Sequence, residues 1–194
     1  FVAARREVLR DEAASDARLL ILEGWAALVK LISNGRRQIL YVFLPGDIAE
    51  LANSAGRMGN ASVLALTDVS LCKLPANGGF DELYDRARVE QEGQLLRHIT
   101  RLGRFSAYER VVDWVIEIAE RLHVDPDERF ALPITQEVMA DVLGLTGVHV
   151  NRTINALRQD RLIDIQRGHA HILDRAACLA LVDRPRSRPA PTLV

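Results

Sequence analysis

A chain of 194 residues, 48% hydrophobic and 26% charged, has the make-up of two modest folded domains, each with room for a core of its own. None of its apolar runs approaches the ~20 residues that a membrane-crossing helix needs, and no secretory signal is legible, so the cytoplasm is the expected location. A net charge of −1 excludes binding of nucleic acid by bulk charge: eight Arg against six acidic residues give +2 from Phe130 onward, and 17 basic against 20 acidic give −3 before it.

The chain begins with Phe1, and the β-rich pattern reads as starting midway. Residues are therefore expected to precede it, and any further motif, iron–sulfur ligands included, would lie there. Residues 1–16 are highly charged and read as helical. "ARLLILEGWAALVKLI" reads as a β-hairpin broken at Glu23-Gly24. "RQILYVFL" supplies a strand, Pro45-Gly46-Asp47 a turn, and a loop with Gly56 and Gly59 follows. "SVLALTDVSLCKL" gives two more strands around Thr67-Asp68. This punctuation predicts a compact antiparallel β-roll, jelly-roll-like, over residues 1–80.

From residue 81 to about 106 the pattern becomes a long charged helix. Its later half places Leu95, Ile99 and Leu102 at alternating four and three spacing, the seam of a short coiled coil. The same periodicity also suits a helix docked on its own β-roll. Residues 107–184 are expected to form a winged helix-turn-helix, entered by an amphipathic helix with Val111, Val112, Val115, Ile118 and Leu122 on one face. Residues 185–194, in the tail "RPRSRPAPTLV", read as disordered. The fold class is thus α+β.

The most informative stretch runs from Phe130 to Leu173. Thr135 is an N-cap, Met139, Ala140 and Leu143 face inward, and small Ala140 admits a close crossing helix. Gly144 turns the chain and Leu145 plugs the corner. Thr146 caps a second helix, in which Val150, Ile154 and Leu157 repeat at core spacing. Gly147, Val148, Asn151, Arg152, Asn155 and Gln159 lie opposite. That division fits a helix whose N-terminal residues enter the major groove. Ile163, Ile165, the turn Arg167-Gly168-His169 and Ile172 then make a wing.

"ITQEVMADVLGLTGVHVNRTINALRQDRLIDI" closely resembles the DNA-binding end of the Crp/Fnr regulators, whose catabolite activator protein is a standard helix-turn-helix example. "LEGWAALVKLISNGRRQILYVFLPGDIAEL" and "ALTDVSLCKLP" resemble that family's cyclic-nucleotide-binding-type β-roll. The resemblance implies a bacterial-type transcription regulator that forms homodimers through the helix around Leu95, Ile99 and Leu102. It also implies double-stranded DNA with a pseudo-palindromic operator as partner, and RNA polymerase too if the protein activates. The competing reading is a ligand-binding sensor whose winged helix contacts protein. Catalysis has no support, because no nucleophile triad, paired carboxylates, metal spacing or phosphate-cradling glycine loop is present.

By the same resemblance Arg152 falls on the arginine used for base reading, and its guanidinium can fork onto guanine O6 and N7. Asn151 can reach a base edge or a phosphate. Val148 stands where many relatives carry a cytosine-reading glutamate and offers only apolar contact. Thr135, Thr146, His149 and Arg167 are expected along the phosphate backbone, with Gly147 at the helix entry.

For an effector, Glu50 matches the glutamate that takes the ribose hydroxyl in cyclic-AMP-binding relatives. Asn60 and Ala61 occupy the place of the phosphate-holding Arg-Ser pair, and Arg57 is a poor substitute. A buried phosphate without a bidentate cation is poorly compensated, so cyclic nucleotide binding is not expected. An iron–sulfur cluster wants four thiolates, whereas the sequence has Cys72 and Cys178, and Cys72 reads as a buried small hydrophobe in a core strand. His123, His149, His169 and His171 lie outside the roll, and His98 on the long helix is the one histidine near a possible pocket. No metal site or cofactor is expected.

Overall fold

A computed structural model describes residues 7–10, 18–50, 61–75, 79–125 and 128–182. Strands β1 (Glu7–Arg10), β2 (Arg18–Glu23), β3 (Ala26–Leu31), β4 (Arg37–Phe43), β5 (Ile48–Glu50), β6 (Ala61–Ala65) and β7 (Ser70–Leu74) form two antiparallel sheets. One has the order β1-β6-β3-β4 and the other β5-β2-β7. Helices α1 (Asp81–Arg104) and α2 (Ala107–Arg121) lead to β8 (Arg129–Ala131), α3 (Gln136–Leu143), α4 (Gly147–Gln159), β9 (Ile163–Gln166), β10 (His169–Ile172) and α5 (Arg175–Leu181).

The expected hairpin at Glu23-Gly24 is not one. β2 pairs with β5 and β7, whereas β3 pairs with β4 and β6, so the chain passes from one sheet to the other at this point. The strands of "SVLALTDVSLCKL" part in the same way. Both corners lie against each other: Trp25 N donates to Thr67 Oγ1 at 2.9 Å, and Leu66 N donates to the Trp25 carbonyl at 2.8 Å. Gly24 has φ +80°, and a Cβ there would sit 2.0 Å from the Asp68 carbonyl oxygen, so only glycine fits. Residues 7–10 form an edge strand on β6 and not part of a helix, because pairing satisfies backbone groups that β6 would otherwise leave open. The remainder of the expected N-terminal helix lies outside the described residues, as does the tail 185–194. Cys72 is exposed and not buried: β7 is an edge strand, with a neighbour on one side only.

Helix α2 is the centre of the molecule. A capping box starts it, with Glu109 N donating to Ser106 Oγ at 3.3 Å and Ser106 N donating to the Glu109 carboxylate at 2.7 Å. Every residue from Val111 to Ala119 is buried, so the amphipathic face expected around Val111 and Ile118 extends all round the helix. The main core therefore runs unbroken from Trp25, Val29, Ile39 and Val42 of the roll, along α2, to Met139, Leu143, Val150 and Leu157. A second cluster, with Ile21, Leu28, Phe43 and Val63, fills the roll itself.

Burial of α2 on all sides takes Asp113 and Glu117 out of water. Arg101, on α1 and 1% exposed, lies between them: Nε donates to Asp113 Oδ2 at 2.6 Å, and Nη2 donates to the Glu117 carboxylate. Glu117 also faces Arg121 at 3.6 Å, and Arg121 donates to Asp47, to Tyr41 Oη at 3.0 Å and to the Val42 carbonyl at 2.9 Å.

Of the expected seam, Leu95 and Leu102 are half-buried against the rest of the chain and Ile99 is exposed. Leu95 packs on the inner cluster of the roll, and Leu102 lies against Gly144. The most exposed apolar residues of α1 are Val89, Leu96 and Ile99, at 69, 59 and 66% exposure.

Arg101→Met should lower the unfolding free energy by about 3–5 kcal/mol in urea titration, because Asp113 and Glu117 lose the guanidinium between them and Glu117 keeps the more distant Arg121. Adding Asp113→Leu and Glu117→Leu should restore most of it. If Arg101→Met alone cost less than ~1 kcal/mol, the triad would not be the constraint described.

Candidate nucleic-acid interface

The helix-turn-helix is built locally, by caps and a turn. Val138 N donates to Thr135 Oγ1 at 3.3 Å and His149 N donates to Thr146 Oγ1 at 3.2 Å, so Thr135 and Thr146 are both N-caps. Between them Gly144 is left-handed, φ +62°, and Leu145 N donates back to the Ala140 carbonyl at 3.0 Å. The last carbonyls of α3 are taken up from outside the helix. Gln38 Nε2 donates to Asp141 O at 2.8 Å and Val142 O at 3.1 Å, and Arg110 Nη1 donates to Leu143 O at 3.1 Å. An ion pair of Arg37 with Asp141 adds to this. The motif is thereby fixed to β4 and to α2.

Val150, Thr153, Ile154 and Leu157 bury the inner face of α4. Val148, His149, Asn151, Arg152 and Asn155 are exposed on the other side, and Gly147 is half-buried at the helix entry. The structure thus brings the expected residues of the recognition helix onto one open surface.

The wing is a two-residue hairpin in which Gln166 faces His169, with φ +51° at Arg167 and +73° at Gly168. Positive φ at both central residues is the turn whose twist matches the flanking strands. Arg167 is exposed at its tip. A third strand, β8, pairs with β10 and was not expected.

The cations on this surface divide into anchored and free. Arg158 Nε donates to Asp164 Oδ1 at 2.7 Å, and Arg129 faces Asp164 Oδ2 at 3.2 Å. The hydrogen bond from Arg158 is the main cause that holds the Asp164 carboxyl below its ordinary range. By contrast, Arg152 and Arg167 are exposed, and among the described residues neither has an ion-pair or hydrogen-bond partner for its guanidinium. Sequence reasoning missed Gln136, Arg158 and Asp164. Asn155 carried a signal in its four-residue spacing from Asn151; the Arg158–Asp164 pair carried none, since it depends on the fold-back of β9.

Of the candidate effector residues, Glu50 and Ala61 are among the described ones. Glu50 is held between Arg18 at 3.4 Å and Arg88 at 3.8 Å. Ala61 is buried in β6, and Asn60 and Arg57 lie outside the described residues. His98 is buried beside Arg101, with 3.4 Å between Nδ1 and Nη1, and the cavity it lines holds about 10 Å³, far too little for a cofactor. Among the described residues no group of three or more His, Cys, Asp or Glu is arranged to hold a metal, and no helix is long and apolar enough to cross a membrane.

The Crp-like helix-turn-helix domain family matches residues 109–180, and the cyclic nucleotide-binding domain family matches residues 1–87. The nitrogen fixation regulation protein FixK of Bradyrhizobium diazoefficiens is 33% identical over 191 residues, 90% of this chain and 77% of that one. The chain belongs to the Crp/Fnr family of transcription regulators. The transcriptional activator protein FnrL of Cereibacter sphaeroides is 30% identical over 79% of this chain and 66% of its own length. The structure of FixK2 from Bradyrhizobium japonicum superposes with a TM-score of 0.78 at 26% identity, covering 96% of both chains. The α+β fold expected for a Crp/Fnr regulator is thus the one observed, and the chain is a DNA-binding regulator and not an enzyme.

Burial, and secondarily the charge of Arg101, push the His98 pKa down to about 4, below its ordinary value of 6.5, although Glu117 opposes the shift. Between those values the unfolded chain holds the extra proton. Stability should therefore fall as pH drops from about 6.5 toward 4, by at most about 1.4 kcal/mol per pH unit from this group. His98→Phe should remove that component of the slope in urea titrations at stepped pH. An unchanged slope would place the titration elsewhere.

Proposed function

We propose that this regulator acts as a homodimer in the cytoplasm and reads a pseudo-palindromic operator in double-stranded DNA with the outward face of α4. The observation that carries the reading is Arg152: an exposed guanidinium without a described partner, on a capped helix whose other face is fully packed. It reads a guanine in each half-site, the half-sites lying about 34 Å apart. Val148, 61% exposed, contacts a thymine methyl. Arg167 at the wing tip, the capping threonines Thr135 and Thr146, and His149 contact phosphates. Where the regulator activates, RNA polymerase is a further partner. The β-roll responds to a signal other than a cyclic nucleotide, which is supported by the two arginines on Glu50 and the lack of a hydroxyl at Ala61.

The dimer reading rests on α1. Val89, Gly93, Leu96, Thr100 and Gly103 fall at alternating four and three spacing with Ile99 alongside, and a Cβ at either glycine would meet nothing within 4 Å. Such a stripe suits close contact with the same stripe of a second copy.

Arg152→Ala should cost on the order of 1–3 kcal/mol per half-site and relax preference at one base pair. Arg167→Ala should weaken all duplexes alike and flatten the salt dependence, since a phosphate contact carries no base information. Both are checked by titrating matched and singly substituted duplexes at several salt concentrations, with and without cyclic AMP, which should change neither affinity. Equal losses on every duplex for Arg152→Ala would make it a backbone contact.

Ile99→Asp, alone or with Leu96→Asp, should yield monomers in sedimentation that have lost tight DNA binding. A double variant that stayed dimeric would move the interface off α1.

A further inference from the structure

Four side chains on the exposed surface of the helix-turn-helix form a hydrogen-bond series whose direction is fixed at one end. Arg158 is anchored on the wing, through Asp164 at 2.7 Å and through Nη2 to the Ile165 carbonyl at 2.9 Å. Its Nη1 reaches Asn155 Oδ1 at 3.4 Å, and Asn155 Nδ2 donates to Asn151 Oδ1 at 3.2 Å, one turn earlier on α4. Asn151 Nδ2 then donates to Gln136 Oε1 at 3.1 Å, at the start of α3. A carboxamide turned through 180° exchanges donor for acceptor, so amides alone would let the series run either way. A guanidinium only donates. The Asn155 oxygen must therefore face Arg158, and each later amide takes the same sense. Asn151 is left with one N–H and one oxygen lone pair uncommitted, next to Arg152 on the exposed face.

An uncommitted donor and acceptor on one carboxamide complement the major-groove edge of adenine, which offers N7 as acceptor and its N6 amino group as donor. We infer that Arg158 and Asn155 are positioning residues which set the sense of the Asn151 carboxamide, so that Asn151 reads an adenine in each half-site. The inference rests on the proposed entry of α4 into the major groove. Its energetic basis is modest, because exposed amide bonds contribute little to stability; what they supply is orientation in advance of contact. The wing thereby acts on base reading without touching a base.

The test starts from duplexes selected by the wild-type chain out of random sequence, followed by titration of each single-base-pair substitution. The wild type should prefer adenine at one position per half-site by on the order of tenfold, and Asn151→Ala should abolish that preference. Asn155→Asp still accepts from Arg158 but can no longer donate to Asn151, which frees Asn151 to turn. Its added charge should lower affinity for every duplex, while the adenine preference falls toward one and the guanine preference owed to Arg152 persists. Asn155→Ala should produce the same selective loss without the uniform one. Adenine preference undiminished in both Asn155 variants, or lost in step with guanine preference, overturns the relay and leaves the DNA reading standing. A wild-type chain that selects no sequence at all overturns both.

Discussion

Burial of Arg101 between Asp113 and Glu117 is the constraint on which the remaining architecture depends. A helix packed on every side can be all apolar, yet α2 carries two carboxylates in its buried stretch. Each would be prohibitively costly alone, and a single guanidinium from α1 compensates both. The angle between α1 and α2 is therefore set by charge as well as by packing. Because Glu117 also faces Arg121, which in turn donates to Asp47, Tyr41 and Val42, the same set of ionic contacts runs from the long helix through the central helix to the roll. His98 borders this set, and burial, with the charge of Arg101 second, disfavours its protonated form.

On the surface of the helix-turn-helix the opposite economy holds. Structural cations are tied down, Arg158 by Asp164 and Ile165, Arg110 by the carbonyls of Leu102, Phe105 and Leu143. Arg152 and Arg167 are left in water. A cation already paired within the protein would have to break that pair to meet DNA, whereas a free one exchanges only counterions and water. With a net charge of −1 over the chain, this sorting of a few arginines matters more than their number.

The helix-turn-helix was legible in the sequence because everything that defines it is local. Thr135, Gly144 and Thr146 act on backbone groups within four residues, and Met139, Leu143, Val150, Ile154 and Leu157 mark the buried faces by periodicity alone. The exposed set from Val148 to Asn155 follows as the complement. Strands β2, β3, β4, β6 and β7 of the roll were legible for the same reason, as were the turns at Gly46 and Gly168.

Tertiary structure alone decided what depends on partners distant in sequence. Two adjacent apolar runs at Gly24 look like a hairpin, and nothing in either run says that each will pair with a strand 31 to 56 residues away; the close approach of Gly24 to Asp68 settles it. Residues 7–10 pair with β6 against their helical appearance, because an open strand edge outweighs weak local propensity. On α1, Leu95 and Leu102 share a helical repeat with each other just as Val89 and Leu96 do, so periodicity finds two stripes and cannot say which one faces the roll. Cys72 could not be placed without knowing that β7 lies at an edge. The amide series from Arg158 to Gln136 was beyond reach for the same reason, since it joins a wing, a recognition helix and its neighbour that only folding brings together.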